Sequence, residues 1–79
     1  MRIELALFAY LADLHPDGAG GRHARTYELP DGSVVADVVE RFGLPDEPRI
    51  IMVNGRVSFD ETPLADGDRL AIFPPVAGG

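Results

Sequence analysis

The stretch Ser33-Val34-Val35-Ala36-Asp37-Val38-Val39-Glu40-Arg41-Phe42-Gly43 carries the helix around which the remaining elements have to be arranged. Val34, Val38 and Phe42 recur at i, i+4 and i+8, with Val35 and Val39 beside them, which makes an apolar stripe of helical period. Ser33 reads as its N-cap, a hydroxyl able to accept from a free amide of the first turn. Gly43 reads as the C′ residue, free to take the left-handed conformation that ends a helix. The β-branched valines are mediocre helix formers, so packing of the stripe rather than propensity has to hold this segment.

Beyond the helix, Arg49 to Val53 is a strongly apolar strand that reads as central. Asn54-Gly55 follows it and is the strongest hairpin signal in the chain, because a type I′ turn needs φ > 0 at both positions. Arg56 to Phe59 returns along the partner strand. Turns at Thr62-Pro63-Leu64 and Asp66-Gly67-Asp68 lead to a last strand, Arg69 to Phe73. Before the helix, Arg2 to Ala9 is a strand with Ile3, Leu5 and Leu7 on one face, and Ala24 to Leu29 is a second. Between these two, Tyr10 to Leu14 offers one helical turn and Gly18 to His23 a flexible loop. One helix covering one face of a mixed sheet implies an α+β architecture, with four to five strands packed on one main helix at about 33–42.

Seventy-nine residues leave room for a single core, and without cysteine no disulfide, zinc-thiolate site or catalytic thiol is available. The net charge of −6 opposes binding to phosphate backbones, so nucleic acid is not an expected partner. No apolar run approaches the length needed to span a bilayer, and Glu4 stands where a signal peptide would begin its apolar region; neither a membrane nor export is expected, and the cytoplasm is. All seven basic residues are arginines, so no side-chain amine can form a Schiff base or accept an isopeptide bond. His15 and His23 lie eight apart without a carboxylate pattern, which argues against a metal site. Asp13, Asp17, Asp46, Glu47, Asp60, Glu61, Asp66 and Asp68 read as solvated or turn-forming. No Ser-His-Asp set or phosphate-cradling loop is present.

After Phe73 the composition changes to Pro74-Pro75-Val76-Ala77-Gly78-Gly79. The two prolines hold the backbone extended and keep it out of a strand ladder. These six residues can reach ~20 Å, enough to enter a cleft on another protein. The chain therefore divides into a domain at 1–73 and a tail at 74–79.

Leu7-Phe8-Ala9, Ile51-Met52-Val53-Asn54-Gly55, Leu64-Ala65-Asp66-Gly67-Asp68 and Phe73-Pro74-Pro75-Val76-Ala77-Gly78-Gly79 together resemble the small sulfur carriers of the ubiquitin-like β-grasp fold. That group includes the molybdopterin synthase small subunit and the sulfur carrier of thiamin synthesis, and the Pro-Pro tail is more similar to the former. The resemblance implies a non-enzymatic co-substrate. An adenylating partner similar to ubiquitin-activating enzymes would consume ATP to activate the Gly79 carboxylate. Sulfur would then convert it to a thiocarboxylate, for delivery in molybdenum or tungsten cofactor synthesis through the large subunit of a molybdopterin synthase. No cofactor or metal is expected on the chain itself. Gly78 and Gly79 would be the reactive end, their missing Cβ atoms allowing close approach in a narrow channel. Phe8, Phe73, Pro74, Pro75, Val76 and Ala77 would contact partners; Phe8 and Phe73 fit equally well as core aromatics. Three other readings share these residues: a carrier for thiamin or another metabolite, a ubiquitin-like protein modifier, and a binding module whose tail is incidental.

Overall fold

Alternation along Arg2–Leu7 (β1) sends Ile3, Leu5 and Leu7 to one face, where all three are buried, and Arg2 and Glu4 to the other. Further strands form at Arg25–Glu28 (β2), Ile50–Val53 (β3), Arg56–Ser58 (β4) and Arg69–Phe73 (β5), with one helix at Val35–Arg41 (α1). These come from a computed structural model that describes residues 1–8, 11, 24–45 and 48–74. The expected helical turn at 10–14, apart from Leu11, and the loop at 18–23 fall outside the described residues.

The five strands form one mixed sheet in the order β2-β1-β5-β3-β4. β1 and β5 run parallel, from Glu4 opposite Arg69 to Leu7 opposite Ile72, and the other pairs are antiparallel. Parallel neighbours cannot be joined by a hairpin, so most of the chain serves as the crossover between them. The 49–53 strand is interior, as expected, paired on both edges; β5 takes the middle of the order and β3 lies between β5 and β4. β3 is apolar on both sides, yet Ile50 is 42% exposed.

The core lies between one sheet face and α1. It joins Ile3, Leu5 and Leu7 from β1, Val35 and Val38 from α1, Ile51 and Val53 from β3, and Leu70 and Ile72 from β5, with Leu29, Leu44 and Leu64 closing its rim. Tyr27 and Phe42 pack against it and meet edge to face at 4.8 Å. The helical stripe is thus confirmed, although its deepest members are Val35 and Val38 rather than Val34 and Phe42.

The start of α1 differs from the sequence expectation. Ser33 is buried and its hydroxyl donates to the Pro30 carbonyl at 2.7 Å, so it closes the preceding turn instead of capping the helix. Val34 occupies the N-cap position with extended backbone, and its N–H donates to the Asp37 carboxylate at 2.8 Å. That carboxylate also sits in the first turn, where it faces the positive end of the helix dipole. At the other end Gly43 has φ +67°, Gly43 N–H donates to the Glu40 carbonyl at 3.2 Å, and Leu44 N–H to the Val39 carbonyl at 3.0 Å. This is a Schellman closure, with Leu44 buried beneath it.

Asn54 (φ 53°) and Gly55 (φ 81°) form the expected turn between β3 and β4. The Asn54 amide also donates to Asp68 at 2.9 Å and accepts from the Arg69 N–H at 3.0 Å. Asp66 and Asp68 are turn residues as expected, and they bind other elements as well. Asp66 accepts from the Arg2 N–H at 2.7 Å, and Asp68 accepts from the Ala65 N–H at 2.8 Å. The Asp-Gly-Asp turn thereby fixes where β5 begins against β1 and the hairpin.

Candidate functional site

Each strand that buries one face against α1 presents its alternate residues to the opposite face, which no described element covers. The register sorts that open face into rows. Toward the start of β5, Thr26, Glu4 and Arg69 lie side by side, with the Arg2–Glu28 ion pair (3.0 Å) beyond them. Next, Ala6, Ala71, Met52 and Val57 form a continuous apolar row across β1, β5, β3 and β4, in which Ala6 is buried, Ala71 and Met52 are half-buried and Val57 is exposed. Beyond it Phe73 lies opposite Ile50, and Phe8 stacks on Phe73 with ring centroids 4.2 Å apart and planes 13° from parallel. The open face is therefore charged at one end and apolar at the other.

The apolar end is where β5 finishes and the tail begins. Phe8 holds its place there because its N–H donates to the Ile72 carbonyl at 3.2 Å, which extends the β1–β5 ladder by one rung. Its own carbonyl accepts from the Leu11 N–H at 3.1 Å. Phe8 and Phe73 are each half-buried and lie outside the core cluster, so neither is a core aromatic. An offset aromatic pair of this kind contributes ~0.5–1.5 kcal/mol beyond the area it hides. Here it stiffens the root of the tail.

Of the residues singled out in the sequence, the structure thus brings together Phe8, Phe73 and the half-buried Pro74. Pro75, Val76, Ala77, Gly78 and Gly79 lie outside the described residues. Sequence reasoning missed Ile50, Met52 and Val57 as surface residues. Their signal was an apolar strand without alternation paired through Asn54-Gly55 to a short strand, a combination that reads as burial until the strand order is known. Val57 is 69% exposed.

No group of three or more His, Cys, Asp or Glu side chains with metal-binding placement occurs among the described residues. No described helix is long and apolar enough to cross a membrane. The chemistry this arrangement supports is docking: an apolar, aromatic-rooted surface from which the last strand runs directly into the chain end.

A model of the ThiS family matches residues 6–79. Among solved structures, the chain is 27% identical to a putative molybdopterin converting factor subunit 1 from Pyrococcus furiosus, over 96% of this chain and 99% of that one, with a TM-score of 0.72. It is 26% identical to small archaeal modifier protein 1 of H. volcanii, over 95% and 98% of the two chains, with a TM-score of 0.73. It also shares its fold with a chain from the complex of subunits 1 and 2 of the molybdopterin-converting factor of Helicobacter pylori, at 19% identity, full coverage of both chains and a TM-score of 0.62.

Proposed function

The chain belongs to the ThiS family and has its ubiquitin-like β-grasp fold, and from that premise we propose that it is a sulfur carrier working through the carboxylate of Gly79. A Gly79 oxygen attacks the α-phosphate of ATP on an adenylating partner, releasing pyrophosphate and leaving an acyl adenylate. A hydrosulfide ion then attacks the carbonyl carbon and AMP departs, which leaves a thiocarboxylate and a proton released to solvent. The carrier supplies the reacting carboxyl group and a docking surface; the partners supply the catalytic groups. Molybdopterin synthesis is the favoured pathway, supported by the likeness to the Pyrococcus furiosus protein and by the Pro74-Pro75 pair. In that role the chain pairs with a larger synthase subunit, as subunit 1 does with subunit 2 in the Helicobacter pylori complex.

The observation that carries this reading is the placement of the apolar end of the open sheet at the root of the tail. Phe8, Phe73 and Ile50 surround the point where β5 ends, so one partner can grip the domain and receive the tail together. An extended segment entering a cleft gains main-chain hydrogen bonds and small side-chain pockets, which suits Val76-Ala77-Gly78-Gly79.

The test is the intact mass after incubation with ATP, sulfide and an activating enzyme of this class. The expected product is heavier by the exchange of one oxygen for sulfur, and deletion of Gly79 abolishes it. An unchanged mass with several competent activating enzymes overturns the carrier reading. The likeness to small archaeal modifier protein 1 supports a second reading, in which the same activated carboxyl is transferred to amines of other proteins. A tagged chain that forms covalent conjugates in an extract of its own cells, and no thiocarboxylate, selects that reading.

A further inference from the structure

Asn54 is the one carboxamide side chain within residues 1–79, which hold no second asparagine and no glutamine. Gly55 follows it, and that order gives the pair a reaction of its own. The backbone nitrogen of Gly55 is placed to form a five-membered ring with the Asn54 side-chain carbonyl carbon, and a glycine there puts no Cβ in the way of attack. Asn54 and Gly55 are both exposed, so solvent base reaches them.

What opposes the reaction is the docking of this turn on β5. The Asn54 N–H donates to the Arg69 carbonyl at 2.8 Å. Its Oδ1 accepts from the Arg69 N–H at 3.0 Å, and its Nδ2 donates to Asp68 Oδ1 at 2.9 Å. The side-chain amide is therefore held at both ends against β5, and its carbon reaches the Gly55 nitrogen only by breaking both bonds. Asp68 is fixed in turn, since its other oxygen accepts from the Ala65 N–H at 2.8 Å.

We infer that Asn54-Gly55 is an intramolecular deamidation site that the folded sheet holds shut. Once the turn leaves β5, the Gly55 nitrogen gives its proton to solvent base and bonds to Asn54 Cγ. The Cγ–Nδ2 bond breaks, and Nδ2 takes a proton from solvent and leaves as ammonia. Water then opens the cyclic imide at one of its two carbonyl carbons. Opening at Cγ leaves an aspartate; opening at the backbone carbon leaves an isoaspartate, whose Cβ is inserted into the main chain of the turn. No electrons change hands. Either product is a poorer latch: an acceptor oxygen replaces the donor that faced Asp68, so two like charges meet there, and the isoaspartate also lengthens a turn with room for two residues only. Time spent with the hairpin undocked thus converts the chain, irreversibly, into one that docks it less well.

The test uses the 79-residue chain at mildly alkaline pH, folded and in guanidinium chloride, followed by released ammonia and intact mass. With a single carboxamide present, both readouts count events at Asn54 alone. The unfolded chain is expected to lose ammonia faster than the folded one by about tenfold or more, the factor set by opening of the hairpin; equal rates overturn the inference. Asp68→Ala, compared while amide-proton dispersion shows it folded, is expected to deamidate severalfold faster than the folded parent. A rate no faster than the parent's means that the side-chain bonds are not the latch, and overturns it. If Asp68→Ala does not fold, the parent chain is followed in denaturant below its unfolding transition. Deamidation that accelerates before the transition supports local opening of this turn, and a rate that tracks global unfolding alone overturns it. Asn54→Asp is expected to lower the denaturation midpoint; a midpoint equal to the parent's overturns the claim that the product is the poorer latch.

Discussion

Asn54 serves two elements with one side chain: its backbone turns the β3–β4 hairpin at φ 53°, and its amide bonds both Asp68 and Arg69. The two contributions are separable. Asn54→Gly keeps the turn and loses the side-chain bonds, at a cost of about 1 kcal/mol; Asn54→Ala adds backbone strain and costs about 2 kcal/mol. Urea unfolding of the two variants measures the difference. Phe8 poses a different question, because it stands at the root of the tail and outside the core. Phe8→Leu keeps apolar bulk but removes the stack, so stability is expected to fall by about 1 kcal/mol. The kcat/KM for adenylation of Gly79 is expected to fall by about tenfold, as removal of an aromatic anchor does at other interfaces. An unaltered kcat/KM would mean that partners grip some other surface.

Helix α1 shows why its elements were legible in part. Its existence, its apolar stripe and its glycine stop follow from residue spacing alone, and all three hold. Its first residue did not follow, because serine competes for two local roles. Ser33 closes the turn onto Pro30, which leaves Asp37 to cap from within the helix. The Gly43 closure predicts that Gly43→Ala costs about 1 kcal/mol, through the φ of +67° and not through a clash, since nothing lies within 4 Å of an added Cβ. The strands divide similarly. β1 announces its buried face through the charges at Arg2 and Glu4, whereas the surface role of Ile50 and Met52 depends on which strand lies in the middle. Register and strand order are long-range facts, and no local pattern encodes them. For the candidate site, the tail was legible from composition, while the apolar floor beside its root required the assembled sheet.

At the scale of the whole molecule, the middle of the sheet is built from its two most distant strands. The β1–β5 pair cannot form until residues 69–73 are available, and β5 supplies Leu70 and Ile72 to the core. A chain ending at Asp68 is expected to be unfolded by circular dichroism and amide-proton dispersion. A chain ending at Pro74 is expected to melt with the full-length protein and to be inert toward the activating enzyme. If removal of residues 75–79 lowered the melting temperature by several degrees, the division into a 1–73 domain and a separate tail would be wrong.

The central position of β5 also fixes how a pull on the chain end is resisted. A tail gripped by one protein while the domain is drawn toward another loads β5 along its own axis. Both neighbours, β1 and β3, then oppose the motion in shear, so the rungs on either side share the force at once. Had the tail followed an edge strand, a sideways tug could unzip the rungs one after another. Here the handle and the middle of the fabric are one continuous thread, so withdrawing the tail from a tight cleft strains the partner's hold on it before it strips a strand from the carrier.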